Sequence, residues 1–205
     1  MSRRPFPRAT PWSLSPLPCL GEWGILVARG VGIGDVPTPW PAELLERMHH
    51  TDMSAEARVK ELGLVLPPAP KPVATYVPCV RVGNLLYVSG HGPLRPDRTL
   101  VTGRVGAELN EAHGREAARV VGLAMLATLQ AQLGTLDRVV RLIKTLGMVN
   151  SAPDFLNHPQ VINGFSDLMV EVFGESGKGA RSAVGMGPLP GNIAVEVEAI
   201  FEIRD

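Results

Sequence analysis

An α+β domain, with a mostly antiparallel sheet covered on one face by two helices, is predicted by three features of this 205-residue sequence. Two long segments repeat apolar residues at helical spacing. The segment from Ile193 to Ile203 alternates, placing Ile193, Val195, Val197, Ala199, Phe201 and Ile203 on one face and Glu196, Glu198, Ile200 and Glu202 on the other. Short β-branched runs bounded by glycine and proline occupy the remaining intervals.

In chain order, Ser54 is placed to cap a helix from Ala55 to Leu62 that Gly63 ends. Pro67, Pro68, Pro70 and Pro72 make a stiff connector. Thr75–Val82 and Leu85–Ser89 flank Gly83-Asn84 and read as a hairpin, with a third short strand at Thr99–Val105. Asn110 caps a helix from Glu111 to Leu133, whose buried stripe includes Ala117, Val121, Ala124, Met125, Thr128 and Leu129. Leu136–Val149 is apolar on both sides and reads as a central strand. A second long helix follows, with Pro159 in its first turn and Gly174 at its end. Arg181–Met186 and Ile193–Ile203 complete the order as strands. One layer of helices leaves the second sheet face uncovered, and burial against other subunits in a closed ring is the expected remedy.

Residues 53–205 are expected to form this domain. Residues 1–52 hold all three tryptophans, eight of the nineteen prolines and no lysine. Prolines at that density oppose long helices and interior strands. The segment is expected to be a non-domain extension, either a mis-assigned start or a disordered tail.

Twenty basic residues balance twenty acidic ones. A neutral chain lacks the broad positive footprint of a nucleic-acid or anionic-membrane binder. No apolar run reaches spanning length, and prolines interrupt any secretory signal, so a cytoplasmic location is expected. Cys19 and Cys79 have no metal-ligand neighbours and read as free thiols. The run Gly174-Glu175-Ser176-Gly177-Lys178-Gly179 lacks the spacing of a phosphate loop. Neither metal nor cofactor is expected.

The chemistry-bearing candidates are few. His91, between Gly90 and Gly92 after a strand end, is either a surface turn residue or a ligand contact. His113 and His158 have no carboxylate close in sequence and read as structural or solvent-facing. Arg181 and Glu196 stand on strands joined by Pro188-Leu189-Pro190-Gly191-Asn192. In an antiparallel pair they approach one rim. There they either form a structural ion pair, or the arginine grips a substrate carboxylate while the glutamate places water.

Several of these segments resemble the RidA/YjgF family. Gly83-Asn84-Leu85-Leu86-Tyr87-Val88-Ser89-Gly90 is similar to its first signature. Ala180-Arg181-Ser182-Ala183-Val184, Leu189-Pro190 and Val195-Glu196-Val197-Glu198-Ala199 are similar to its C-terminal signature. Asn150, Asp154-Phe155 and Val161-Ile162-Asn163 fit the segment between. The resemblance spans residues 54–205, and Leu62-Gly63 with Pro67-Pro68 resembles the longer bacterial branch.

That resemblance implies a chorismate-mutase-like fold, a homotrimer with three intersubunit clefts, and cofactor-free hydrolysis of imines and enamines to 2-keto acids and ammonia. It implies that Arg181 binds a small carboxylate, that Glu196 places the attacking water, and that Gly90, His91 and Tyr76 line the cleft. The signature cysteine is replaced by Ala183, so no thiol nucleophile exists there. A non-catalytic carboxylate-binding regulatory trimer is the alternative reading, with endoribonuclease action behind it.

Overall fold

The computed structural model describes residues 53–72 and 74–205; the expected extension over residues 1–52 lies outside them. Helix α1 (Ala55–Glu61) precedes strands β1 (Cys79–Val82) and β2 (Leu85–His91). Helix α2 (Glu111–Leu133), strand β3 (Val139–Asn150), helix α3 (His158–Phe173), strand β4 (Ala180–Met186) and strand β5 (Val195–Ile203) follow.

Local chemistry sets most boundaries. Ser54 Oγ accepts the Ala57 N–H at 3.3 Å, and Asn110 Oδ1 accepts the His113 N–H at 2.9 Å. Gly134 ends α2 in the left-handed region at φ 82°. Helix α1 is short, and tertiary bonds hold it in place. The Glu56 carboxylate accepts from the Leu136 N–H at 2.8 Å and from Gln130 Nε2 at 3.0 Å, while Arg58 Nε donates to the Glu171 carbonyl at 3.1 Å.

The sheet has the order β1-β2-β5-β3-β4. All neighbours are antiparallel except β3 and β4, which run parallel. The expected hairpin between the last two strands therefore does not form. A helix joins β3 to β4, and such a crossover brings the chain back in its starting direction. The turn after β4 instead carries the chain past β3 to β5. It is held there by residues 101–103: the Gly103 N–H donates to the Asn192 carbonyl at 2.9 Å and the Ala194 N–H to the Val101 carbonyl at 3.0 Å. The expected third strand, Thr99–Val105, makes only isolated bridges of this kind.

Helices α2 and α3 pack together on one sheet face. The fully buried core includes Val121, Met125 and Leu129 of α2, Phe165 and Leu168 of α3, and Val195, Val197 and Phe201 of β5. Each large apolar side chain so buried contributes about 1.5–3 kcal/mol. The opposite sheet face leaves Val80, Val82, Tyr87 and Val184 exposed. Among the described residues no helix is long and apolar enough to cross a membrane, and no group of His, Cys, Asp and Glu could hold a metal ion.

Cys79 begins β1, and burial pushes its thiol up to about 11. Cys19 lies outside the described residues. Cys79 is half-buried, and a protonated thiol reacts slowly because the thiolate is the nucleophile. Iodoacetamide labelling near pH 8, mapped by peptide mass, is expected to mark Cys79 slowly in the native chain and faster after denaturation. Rapid labelling of the native chain at Cys79 would contradict this.

Candidate functional site

Glu196 lies on the open sheet face, on β5 beside the end of β2. The β2–β5 register slips between Val88 and His91, and this bulge brings the Gly90 backbone against the Glu196 side chain. A Cβ on Gly90 would lie 2.1 Å from Glu196 Oε1. A side chain at position 90 would therefore displace the Glu196 carboxylate from this place. The Glu196 carboxylate hydrogen-bonds to no described residue. Burial, and then the charge of Glu198, raise its pKa above the ordinary 4.5. A carboxyl group so placed holds its proton more tightly than an exposed glutamate and is suited to proton transfer.

The space in front of it is a cleft of about 660 Å³ lined by Tyr76, Ser89, Gly90, His91, Glu196 and Glu198, with apolar walls from Pro78 and Ile193. Four of the five site residues expected from sequence thus meet in one cavity. His91 is not the exposed turn residue that its glycine neighbours imply. It is 5% exposed and closes strand β2. Its Nδ1 lies 2.7 Å from the Ser89 carbonyl and its Nε2 2.7 Å from Thr128 Oγ1. A carbonyl only accepts, so Nδ1 carries the hydrogen, and in the neutral ring Nε2 accepts from Thr128. Burial lowers the pKa of the ring and favours that neutral form, against the opposing effect of the Ser89 bond. Both ring nitrogens are occupied, so His91 shapes the cleft and ties it to α2.

Arg181 is elsewhere. It lies on β4 opposite Thr145, which in turn lies opposite Ala199 of β5; Glu196 aligns with Met148. Two strand spacings of about 4.8 Å and three residues along the strand separate the backbones of Arg181 and Glu196. Their side chains leave opposite faces: Arg181 points toward α3, where Nη1 donates to Asn163 Oδ1 at 2.8 Å and Ser166 Oγ at 3.0 Å. Nη2 lies 3.4 Å from the Pro159 carbonyl. The expected approach of Arg181 to Glu196 in one antiparallel pair is therefore corrected, because β3 stands between their strands. Neither residue is paired with the other as a structural ion pair within the chain. Arg181's described partners are all neutral acceptors, which orient the guanidinium and leave its charge uncompensated.

Asn163 and Ser166 were not legible as partners of Arg181. Their i, i+3 spacing places them on one face of α3, but nothing local says that an edge strand brings an arginine beneath it. Ala183, two residues after Arg181, packs partly buried against the core.

The raised pKa of Glu196 has a consequence for stability. The folded chain retains this proton over a pH interval in which the unfolded chain has released it. The group's favourable contribution is complete below the unfolded value and is lost as pH rises through the folded one. Glu196→Gln is expected to raise the melting temperature at neutral pH and to leave it nearly unchanged below pH 4.5, the ordinary glutamate value. Thermal unfolding across that range checks this; a shift of the same size at every pH would exclude a role for ionisation.

Residues 56–201 match the family model described as "YjgF/chorismate_mutase-like, putative endoribonuclease". The protein TCP17 of Trypanosoma cruzi is 43% identical over 150 residues, covering 73% of this chain and 94% of TCP17. A 2-iminobutanoate/2-iminopropanoate deaminase of Dermatophagoides farinae is 31% identical over 139 residues, covering 67% of this chain and 93% of that protein. Among solved structures, Atu1372 of Agrobacterium tumefaciens, a protein of unknown function, is 43% identical with a TM-score of 0.67, covering 78% of this chain and 99% of its own. A Shewanella oneidensis protein described as a "putative endoribonuclease" is 30% identical with a TM-score of 0.71, covering 74% and 100%. With the α+β fold, the signature segments and the family model in agreement over the same residues, this chain belongs to the RidA/YjgF family.

Proposed function

We propose that the protein hydrolyses reactive imines and enamines of small amino acids to 2-keto acids and ammonia, without a cofactor, at clefts shared between subunits of a homotrimer. The observation that carries this reading is the division of the site. Among the described residues, a carboxylate with no hydrogen-bonding partner stands at Gly90 on one face, and an oriented guanidinium with no ion-pair partner stands on the edge strand and the other face. A small 2-imino acid needs both, and a neighbouring copy can supply Arg181 to the cleft that holds Glu196. The uncovered apolar residues Val80, Val82, Tyr87 and Val184 give such an assembly its driving force.

In this reading the Arg181 fork takes the substrate carboxylate through two parallel N–H···O bonds. Glu196 accepts a proton from water as the water oxygen adds to the C=N carbon. The proton reaches the substrate nitrogen, and the resulting amino alcohol collapses to the 2-keto acid as the C–N bond breaks and ammonia leaves. An enamine enters the same route after protonation at its β-carbon. Water is a sufficient nucleophile, so Ala183 does not block the reaction. The deaminase among the relatives supports this substrate class.

The missing thiol also favours a second reading, a regulatory trimer that binds small carboxylates without turnover. RNA cleavage fits less well. The chain's net charge is zero, without the broad positive surface that binds a polyphosphate backbone.

Imines generated from several amino acids with an amino-acid oxidase, and followed as they decay, distinguish these readings. Acceleration by the wild-type protein is expected, with loss of activity in Glu196→Gln. Arg181→Ala removes a contact worth about 1.5–3 kcal/mol and is expected to weaken pyruvate binding by about ten- to a hundred-fold. Binding without acceleration for any imine would favour the regulatory reading. Mixing Arg181→Ala with Glu196→Gln subunits should restore part of the activity, since some clefts then receive both native groups. Sedimentation should show one species at three chain masses. Mixed trimers without any recovery would place both residues in one subunit's cleft.

A further inference from the structure

Where β3 runs out and α3 begins, Ser151 Oγ lies 3.0 Å from His158 Nε2. We propose that this pair is a second reactive centre, in which Ser151 is a nucleophile and His158 its base, acting on small carboxylic esters through transient acylation of Ser151.

Three constraints hold the pair. The Phe155 ring meets the imidazole edge-on, with centroids 5.4 Å apart and planes at 86°. That contact fixes the tilt of the base. The β4 backbone passes beside both groups at Gly185, where a Cβ would stand 2.4 Å from His158 Nε2 and 2.9 Å from Ser151 Oγ. Any side chain at 185 would displace the pair or cover it. The short β3–α3 connection supplies the third constraint, because it brings residues seven apart into contact.

The pair opens on a cleft of about 500 Å³. Phe155, Leu156, Met186 and Pro188 give it apolar walls, with Leu156 79% exposed. Arg104 also lines it; its guanidinium lies 3.9 Å from the Glu108 carboxylate, which also accepts the Arg104 N–H at 2.8 Å. The neighbouring Asn150 amide is already committed to Asn192 Oδ1 and the Ile193 carbonyl, so Arg104 is the lining group able to stabilise a developing oxyanion. A serine–histidine bond open to water adds little to stability, whereas in a cleft with apolar walls it has the arrangement of an activated nucleophile. The centre lies on the helix side of the sheet, away from the Glu196 cleft, and it stands independently of the imine reading.

The reaction balances without a co-reactant other than water. Ser151 Oγ adds to the ester carbonyl as its proton passes to His158 Nε2. The imidazolium returns that proton to the departing alkoxide as the acyl C–O bond breaks. Water then adds to the acyl-serine, again losing a proton to Nε2. The acid leaves, and His158 returns the proton to Ser151.

The full chain, incubated with p-nitrophenyl acetate, should release a burst of nitrophenol and gain one acetyl group at Ser151 by peptide mapping. Ser151→Ala is expected to abolish both. His158→Gln should slow acylation by about 10²–10⁴-fold. If Ser151→Ala folds poorly by circular dichroism, Ser151→Cys provides the second test, with the acyl group then carried as a thioester at position 151. Acetylation confined to lysines, or a burst unchanged by these substitutions in folded protein, overturns the proposal.

Discussion

The parallel pairing of β3 with β4 is the constraint from which the rest of the architecture follows. It arises because α3 joins the two strands and packs on the sheet face that also receives α2. A helical crossover sets β4 parallel to β3 and leaves it at the sheet's edge, and β5 does not turn back against it. Strand β5 instead takes the other side of β3. Arg181 is thereby set at the sheet's edge beneath α3, and Glu196 stands on the opposite face with β3 between them.

That separation gives the two groups different environments. Arg181 is oriented by Asn163 and Ser166 of α3, which lend it geometry without neutralising its charge. Glu196 is crowded by the Gly90 backbone and by Glu198, so its carboxyl holds its proton more tightly than an exposed one. The bulge in β2 makes that crowding possible and also turns His91 inward to Thr128. A single backbone irregularity thus couples the floor of the cleft to the helix layer. The same β3–α3 junction that forces the parallel pairing brings Ser151 to His158.

Element boundaries were largely legible because they rest on local physics. The cap at Asn110, the stop at Gly134 and the stripe from Ala117 to Leu129 define α2 in the sequence as in the structure. The alternation from Val195 to Ile203 identifies β5 and its inward face. Strand β1 is shorter than its pattern implied, beginning at Cys79, and residues 99–105 make bridges without becoming a strand. In both cases β propensity was present but a continuous pairing partner was not. The site residues Gly90 and Glu196 were legible through family signatures, whereas their contact depends on a register slip that no local pattern records.

The sequence by itself determined the two long helices, the main strands, the inward face of β5 and the family to which the chain belongs. Caps, periodicity and signature residues act over a few positions and survive any rearrangement of the elements in space. Only the tertiary structure decided that Arg181 and Glu196 lie on opposite faces, that His91 is buried with both nitrogens engaged, and that Ser151 meets His158. Each depends on which strand lies beside which, and in which direction. That choice is made by packing two helices on one face of the sheet, a constraint spread over the whole domain rather than written at any one residue.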